Sequence, residues 1–110
     1  MRHLNKVFII GKLTRDPDLR STPKGTPVCD FGVVVKRKYT TQSGEKKEEP
    51  CFLEVVVWAK KAEACHKNLT KGMNVFVEGR LHLDKWESKE GEPRSKIKIV
   101  AENIEFLKRE

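Results

Sequence analysis

Residues 60–72 read KKAEACHKNLTKG, and this short run decides the fold. Ala62, Cys65 and Leu69 recur at intervals of three and four residues, the spacing that puts apolar side chains on one face of a helix. Gly72 supplies the expected stop. No other stretch of the chain carries a helical period. Everything around it reads as strand, so where this helix falls among the strands settles the topology.

Working outward on the N-terminal side, CFLEVVVWA (Cys51–Ala59) alternates. Cys51, Leu53, Val55 and Val57 make one apolar face, while Phe52, Glu54, Val56 and Trp58 make the other. A charge among the second set marks an open, partly wet surface rather than a barrel interior. Before it, Val28–Lys38 reads as a strand with Cys29, Phe31, Val33 and Val35 on one face, and Gly32 in its middle predicts a bulge or sharp bend. Asn5–Leu13 is apolar on both faces through Val7, Phe8, Ile9 and Ile10, as a strand covered on both sides would be. In so small a domain a second subunit is a natural cover. Thr14–Pro27, with three prolines and Gly25, is expected to be loop.

On the C-terminal side, Met73–Ser88 and Ser95–Lys108 read as strands joined by the turn Lys89–Arg94, with Gly79 bending the first of them. Arg80, His82, Asp84 and Trp86 share a face opposite Leu81 and Leu83, and Lys96 and Lys98 share one opposite Ile97 and Ile99. The expected order is three strands, the helix, then two strands. This is an all-β class with the layout of the OB-fold, a five-stranded Greek-key barrel with one α-helix between the third and fourth strands. At 110 residues without repeat or linker, residues 1–110 are expected to be one domain.

The segment KRKYTTQSGEKKEEP (Lys36–Pro50) is far longer than a hairpin turn requires, and too charged to pack into a core. Extended as a β-ribbon arm, it becomes one wall of a groove whose floor is the Phe52/Trp58 face. A second arm, around Lys85–Lys98, becomes the other wall.

Net charge is +7, and residues 1–38 hold nine Lys and Arg against three Asp. Positive charge clustered in this way is the usual footprint of a polyanion. The aromatics decide which polyanion. Tyr39, Phe52, Trp58 and Trp86 each lie near Lys or Arg in sequence, and unpaired bases stack on such rings while cations hold the phosphates. These four are the expected base-stacking residues; Phe31 and Phe106 are expected in the core. The expected phosphate contacts are Lys12, Arg15, Arg20, Lys36, Arg37, Lys38, Lys60, Arg80, Lys85, Arg94, Lys96 and Lys98. Within the first arm the basic stem is favoured over the tip, because Glu45, Glu48 and Glu49 repel phosphate.

Three cysteines, Cys29, Cys51 and Cys65, form no C-x-x-C pair, so neither a zinc site nor a disulfide framework is expected, and the thiols are expected to be buried and inert. His3, His66 and His82 adjoin no nucleophile, and no P-loop or dinucleotide glycine pattern occurs. No enzyme activity, metal or cofactor is expected. With no membrane-spanning run and no signal segment, the expected location is the cytoplasm.

LNKVFIIGKLTRDPDLRSTPKGTPV (Leu4–Val28), with its N-K-V, G-x-L, D-P-x-x-R and G-x-x-V skeleton, resembles the start of the bacterial single-stranded-DNA-binding protein family. VFVEGRLHLDKW (Val75–Trp86) matches that family's V-x-V-E-G-x-L-x-x-x-x-W signature. The resemblance spans Leu4 to about Phe106. It implies a homotetramer that wraps single-stranded DNA without sequence preference in replication, recombination and repair. It also implies a subunit interface through the first strand, with Lys6, Phe8, Ile10 and Leu53 in it. By position it assigns base stacking to Tyr39, Phe52, Trp58 and Trp86. Members continue into a linker and an acidic tail that recruits replication and repair proteins; this sequence stops at EFLKRE, so no such tail is expected. Two rivals remain on sequence alone: a primosome adaptor of the replication-restart type, and an RNA chaperone, since stacking is indifferent to the sugar.

Overall fold

The computed structural model describes residues 1–107. Its elements are β1 (Val7–Leu13), β2 (Asp18–Ser21), β3 (Pro27–Thr40), β4 (Lys46–Trp58), α1 (Lys60–Asn68), β5 (Asn74–Glu87) and β6 (Pro93–Leu107). The strands follow the order β1-β5-β6-β4-β3-β2, and β1 also pairs with β3. That extra pairing closes β1, β5, β6, β4 and β3 into a five-stranded barrel, with β2 as an appendage on β3. The β4–β6 pair is parallel, through Val55↔Ile99 and Val56↔Val100, and every other pair is antiparallel. This is the expected OB-fold, with its one helix after the Trp58 strand.

Alternation explains the core. Phe31, Val33, Val55, Val57, Val75, Val77 and Ile99 point inward and are sealed from water. The helix closes one end of the barrel with Ala62, Cys65 and Leu69, the period from which it was read. Burial pushes the Cys29 thiol up to about 11 and the Cys65 thiol up to about 12, so both stay protonated and unreactive at neutral pH.

Two glycines read alike in sequence behave differently. Gly79 does mark a bend: the β5–β6 register shifts between Glu78 and Gly79, and a Cβ there would press on the backbone of Val100 and Ala101. The strands leave the barrel at this point and run on as an arm. Gly32, expected to mark a bulge or a sharp bend, marks no bulge; the β3–β4 register passes through it unbroken, from Val28↔Trp58 to Thr40↔Lys46. The glycine at that position makes room for the Thr14 hydroxyl and the Arg15 guanidinium.

Four further expectations need correction. Thr14–Pro27 is not all loop, since Asp18–Ser21 pairs with β3; all four residues are exposed, so no alternation betrayed the strand. The helix ends at Asn68, with Leu69 as its cap, and Gly72 (φ 91°) belongs to the turn that follows. Cys51 is exposed, because its part of β4 has already left the barrel for the arm. Phe106 lies at the end of β6 and is 42% exposed rather than in the core.

Candidate nucleic-acid interface

The long polar segment does form a ribbon. Lys36 to Thr40 pair with Pro50 to Lys46, and Thr41–Glu45 is the turn at its end, with Gly44 at φ 87°. The second arm pairs His82 with Lys98, Asp84 with Lys96 and Trp86 with Arg94. Several acidic residues of both ribbons sit beside lysine or arginine, as in Lys36–Glu48 and Arg37–Glu49 at 3.5 Å, Arg94–Glu92 at 3.2 Å and Lys98–Asp84 at 2.9 Å. Exposed pairs of this kind contribute about 0–1 kcal/mol, so a phosphate can displace the carboxylate at little cost. The Lys98 ammonium, donating to Asp84, holds that carboxyl below its ordinary range.

Register decides which side chains share a surface. Phe52, Glu54, Val56 and Trp58 alternate onto the outer face of β4. Val56 stands beside Val100, and Lys98, Lys96 and Arg94 continue that face along β6. Across from them on β5 stand Arg80, His82, Asp84 and Trp86. On the other side, Val34 pairs with both Phe52 and Lys12, which brings β1 onto the same surface. One uninterrupted sheet face therefore carries Phe52, Trp58 and Trp86, exposed by 72%, 45% and 47%, among Lys12, Lys36, Lys38, Arg80, Arg94, Lys96 and Lys98. Lys60 opens the helix two residues after Trp58.

Three expected residues fall elsewhere. Tyr39 and Arg37 alternate onto the opposite side of the first ribbon, where the Arg37 guanidinium lies 5.0 Å from the Tyr39 ring centre. Lys85 faces away from Trp86 in register, beside Ser95, yet both line one hollow of about 690 Å³ at the end of the second arm. A hollow of about 490 Å³ at the other arm holds Tyr39 with Lys38, Lys46 and Lys47. A third, of about 240 Å³, lies on the floor and gathers Phe52, Arg15 and Lys96. Each hollow thus joins an aromatic ring to cations.

Two further groove cations are held by carboxylates. Arg20 donates from Nε to Asp30 at 2.9 Å, and Arg15 forks onto Glu54 at 2.5 and 3.3 Å. Donation to these carboxylates raises both guanidinium pKa values further. Glu54 was legible in sequence as a charge on the wet face, but its partner was not, because Arg15 lies 39 residues away.

The residues expected at a subunit interface divide. Phe8 and Ile10 point outward from β1, 63% and 61% exposed, and Phe8 stacks on Phe76 with ring centres 6.4 Å apart. Leu53 faces inward and packs against the core. Lys6 is held by Glu78 and Glu102, each at 2.8 Å, which raises its pKa and lowers both of theirs. Lys108 and Arg109, at the basic end, lie outside the described residues.

A small closed Greek-key barrel with two ribbon arms, and aromatics and cations alternating over the face between them, defines an OB-fold protein of the single-strand-binding class. The family model of the single-strand binding protein family matches residues 4–107, and the chain belongs to that family. It is 48% identical over 106 residues to the single-stranded DNA-binding protein of Aquifex aeolicus, covering 96% of this chain and 71% of that one. It is 40% identical to the single-stranded DNA-binding protein of Helicobacter hepaticus, spanning 94% of this chain and 61% of the relative. Among solved structures, the Plasmodium falciparum SSB complex with ssDNA superposes with TM-score 0.87 at 25% identity, covering 98% of both chains. Wild-type single-stranded DNA binding protein from Thermus aquaticus superposes with TM-score 0.84 at 37% identity, covering 98% of this chain and 52% of that one.

Proposed function

We propose that this chain binds single-stranded DNA without sequence preference, and thereby protects it in replication, recombination and repair. The observation that carries this reading is the single sheet face on which Phe52, Trp58 and Trp86 stand exposed among basic side chains. The mechanism is passive. Lysine and arginine side chains on the floor and arms draw in the backbone; the rings stack on the splayed bases, with no demand on base identity. Tyr39, Arg37 and Lys85 contribute from the outer sides of the arms as the strand wraps around them. Salt weakens the complex with a log–log slope of about −0.7 per phosphate neutralised.

A titration of tryptophan fluorescence tests this directly, since Trp58 and Trp86 are the two tryptophans and both belong to the face. Oligo-dT is expected to quench them strongly, with oligo-rU and duplex DNA quenching less. An equal response to duplex would mean that charge alone holds the ligand, and the stacking assignments would fall. Quenching by oligo-rU stronger than by oligo-dT would favour an RNA ligand.

The proposal extends to a homotetramer. β1 pairs with β5 along Val7–Lys12 but with β3 only at Lys12 and Leu13, so the other edge of its first half carries free backbone groups. An open strand edge beside the exposed Phe8 and Ile10 is a template for pairing with a second copy. Ile10→Asp is expected to lower the mass in solution to that of a smaller assembly, as read by sedimentation, while the barrel stays folded. An unchanged mass would place the interface elsewhere. Recruitment of replication and repair proteins, and residence at the nucleoid, belong to the same proposal.

A further inference from the structure

We propose that Arg15, pinned across Gly32 by Glu54, is a base-stacking platform on the groove floor rather than a phosphate contact. The inference rests on the reading above that the groove takes single-stranded DNA.

The first observation is the fork. Nη2 donates to Oε1 of Glu54 at 2.5 Å and Nη1 to Oε2 at 3.3 Å, so both terminal nitrogens are spent on one carboxylate. A two-point contact of this kind fixes the plane of the guanidinium as well as its position. The second is the glycine. Gly32 stands directly opposite Glu54 in the β3–β4 register. A Cβ at that position would sit 2.4 Å from Oγ1 of Thr14, 2.7 Å from Nη1 of Arg15 and 3.8 Å from its Cζ. The guanidinium therefore shares with the Thr14 hydroxyl the space a side chain would fill, and lies over the sheet at Gly32.

Exposure is the third. The Arg15 side chain is 46% open to water while that of Glu54 is 19% open. Of the two, Arg15 is the member open to water, and the carboxylate is the more covered. The fourth is its neighbour. Phe52 lies two residues from Glu54 on the same face, about 7 Å along the strand, and the two share the floor hollow with Arg15. Successive bases of one strand can reach both.

Charge then separates the two roles. With Glu54 neutralising it, Arg15 offers no net attraction to phosphate. A delocalised, weakly hydrated guanidinium plane nevertheless stacks well on flat rings, nucleobases included. The fork also explains how a carboxylate is tolerated in the middle of a surface built for a polyanion.

The test is the charge-conserving double substitution Arg15→Met with Glu54→Gln, titrated with oligo-dT beside an abasic deoxyribose-phosphate oligomer of equal length. Stacking predicts a loss of about five- to tenfold on oligo-dT, the low end for one stacked base. It also predicts an unchanged salt slope and equal binding of the abasic oligomer by variant and wild type. A slope shallower by about 0.7, with the same loss on the abasic oligomer, would show that Arg15 neutralises a phosphate and would overturn the proposal. No loss on either ligand would overturn it as well. Glu54→Gln alone frees the guanidinium, and is expected to steepen the slope by up to about 0.7; an unchanged slope would count against the fork. Thermal unfolding of each variant separates these effects from lost structure. A wild type that does not bind oligo-dT fails the broader reading first, and is recognised before any variant is compared.

Discussion

Phe52→Ala is expected to weaken oligo-dT binding by about five- to 150-fold, the range for one lost base–aromatic stack, ~1–3 kcal/mol. Phe52 is 72% exposed, so its ring gives little to the core and its removal leaves the barrel intact. The lost affinity therefore reports on the ligand and not on folding. Trp58→Ala and Trp86→Ala are expected to fall in the same range, because register puts all three rings on one face. Tyr39→Ala is expected to cost less, since that ring faces the other side of its ribbon and lies against Arg37. Titrations at fixed salt, with thermal unfolding as a control on the fold, give the comparison. If Tyr39→Ala matched Phe52→Ala, the outer side of the first arm would hold the strand as firmly as the floor. If Phe52→Ala bound normally, the floor would not be the site.

Phe31→Ala carries the largest expected effect on stability, a loss of about 3–5 kcal/mol. Phe31 is the largest of the fully buried side chains, placed on β3 opposite Val55 at the centre of the closed barrel. Little can collapse into the space it leaves, because the core side chains around it sit on hydrogen-bonded strands and on the helix that closes the barrel. Domains are stable by only about 5–15 kcal/mol, so this one substitution removes a large share of the total. Denaturant unfolding followed by circular dichroism measures it, and a loss under about 1 kcal/mol would contradict the packing described. Phe106→Ala serves as the contrast. Sequence gives the two phenylalanines the same standing, but Phe106 is 42% exposed at the end of its strand and is expected to cost much less.

Legibility followed the range of the physics involved. The barrel order was readable because alternation and helical period are local signals, and one helix among strands leaves few topologies. The ribbon arm was readable from its length and charge, which no turn or core explains. β2 was not, since an exposed four-residue strand has no pattern of its own and exists only through its pairing with β3. The close approach at Gly32 was hidden for a related reason: glycine in a strand signals a bulge, a bend or a close approach equally well, and the approaching side chains, Thr14 and Arg15, come from outside the strand pair.

The candidate site divides along the same line. The sequence alone determined which residues were available: exposed aromatics spaced two or more apart, an excess of positive charge toward the N-terminus, and a carboxylate on the wet face of β4. Only the tertiary structure decided their company. It placed Phe52, Trp58 and Trp86 together and turned Tyr39 aside, because strand pairing fixes parity across neighbours that lie far apart in the chain. It also tied Arg15 to Glu54 and Arg20 to Asp30. Charge acts through space, and the folded chain sets that space. A carboxylate that reads as a flaw in a basic groove becomes, once folded, the group that holds a guanidinium in place.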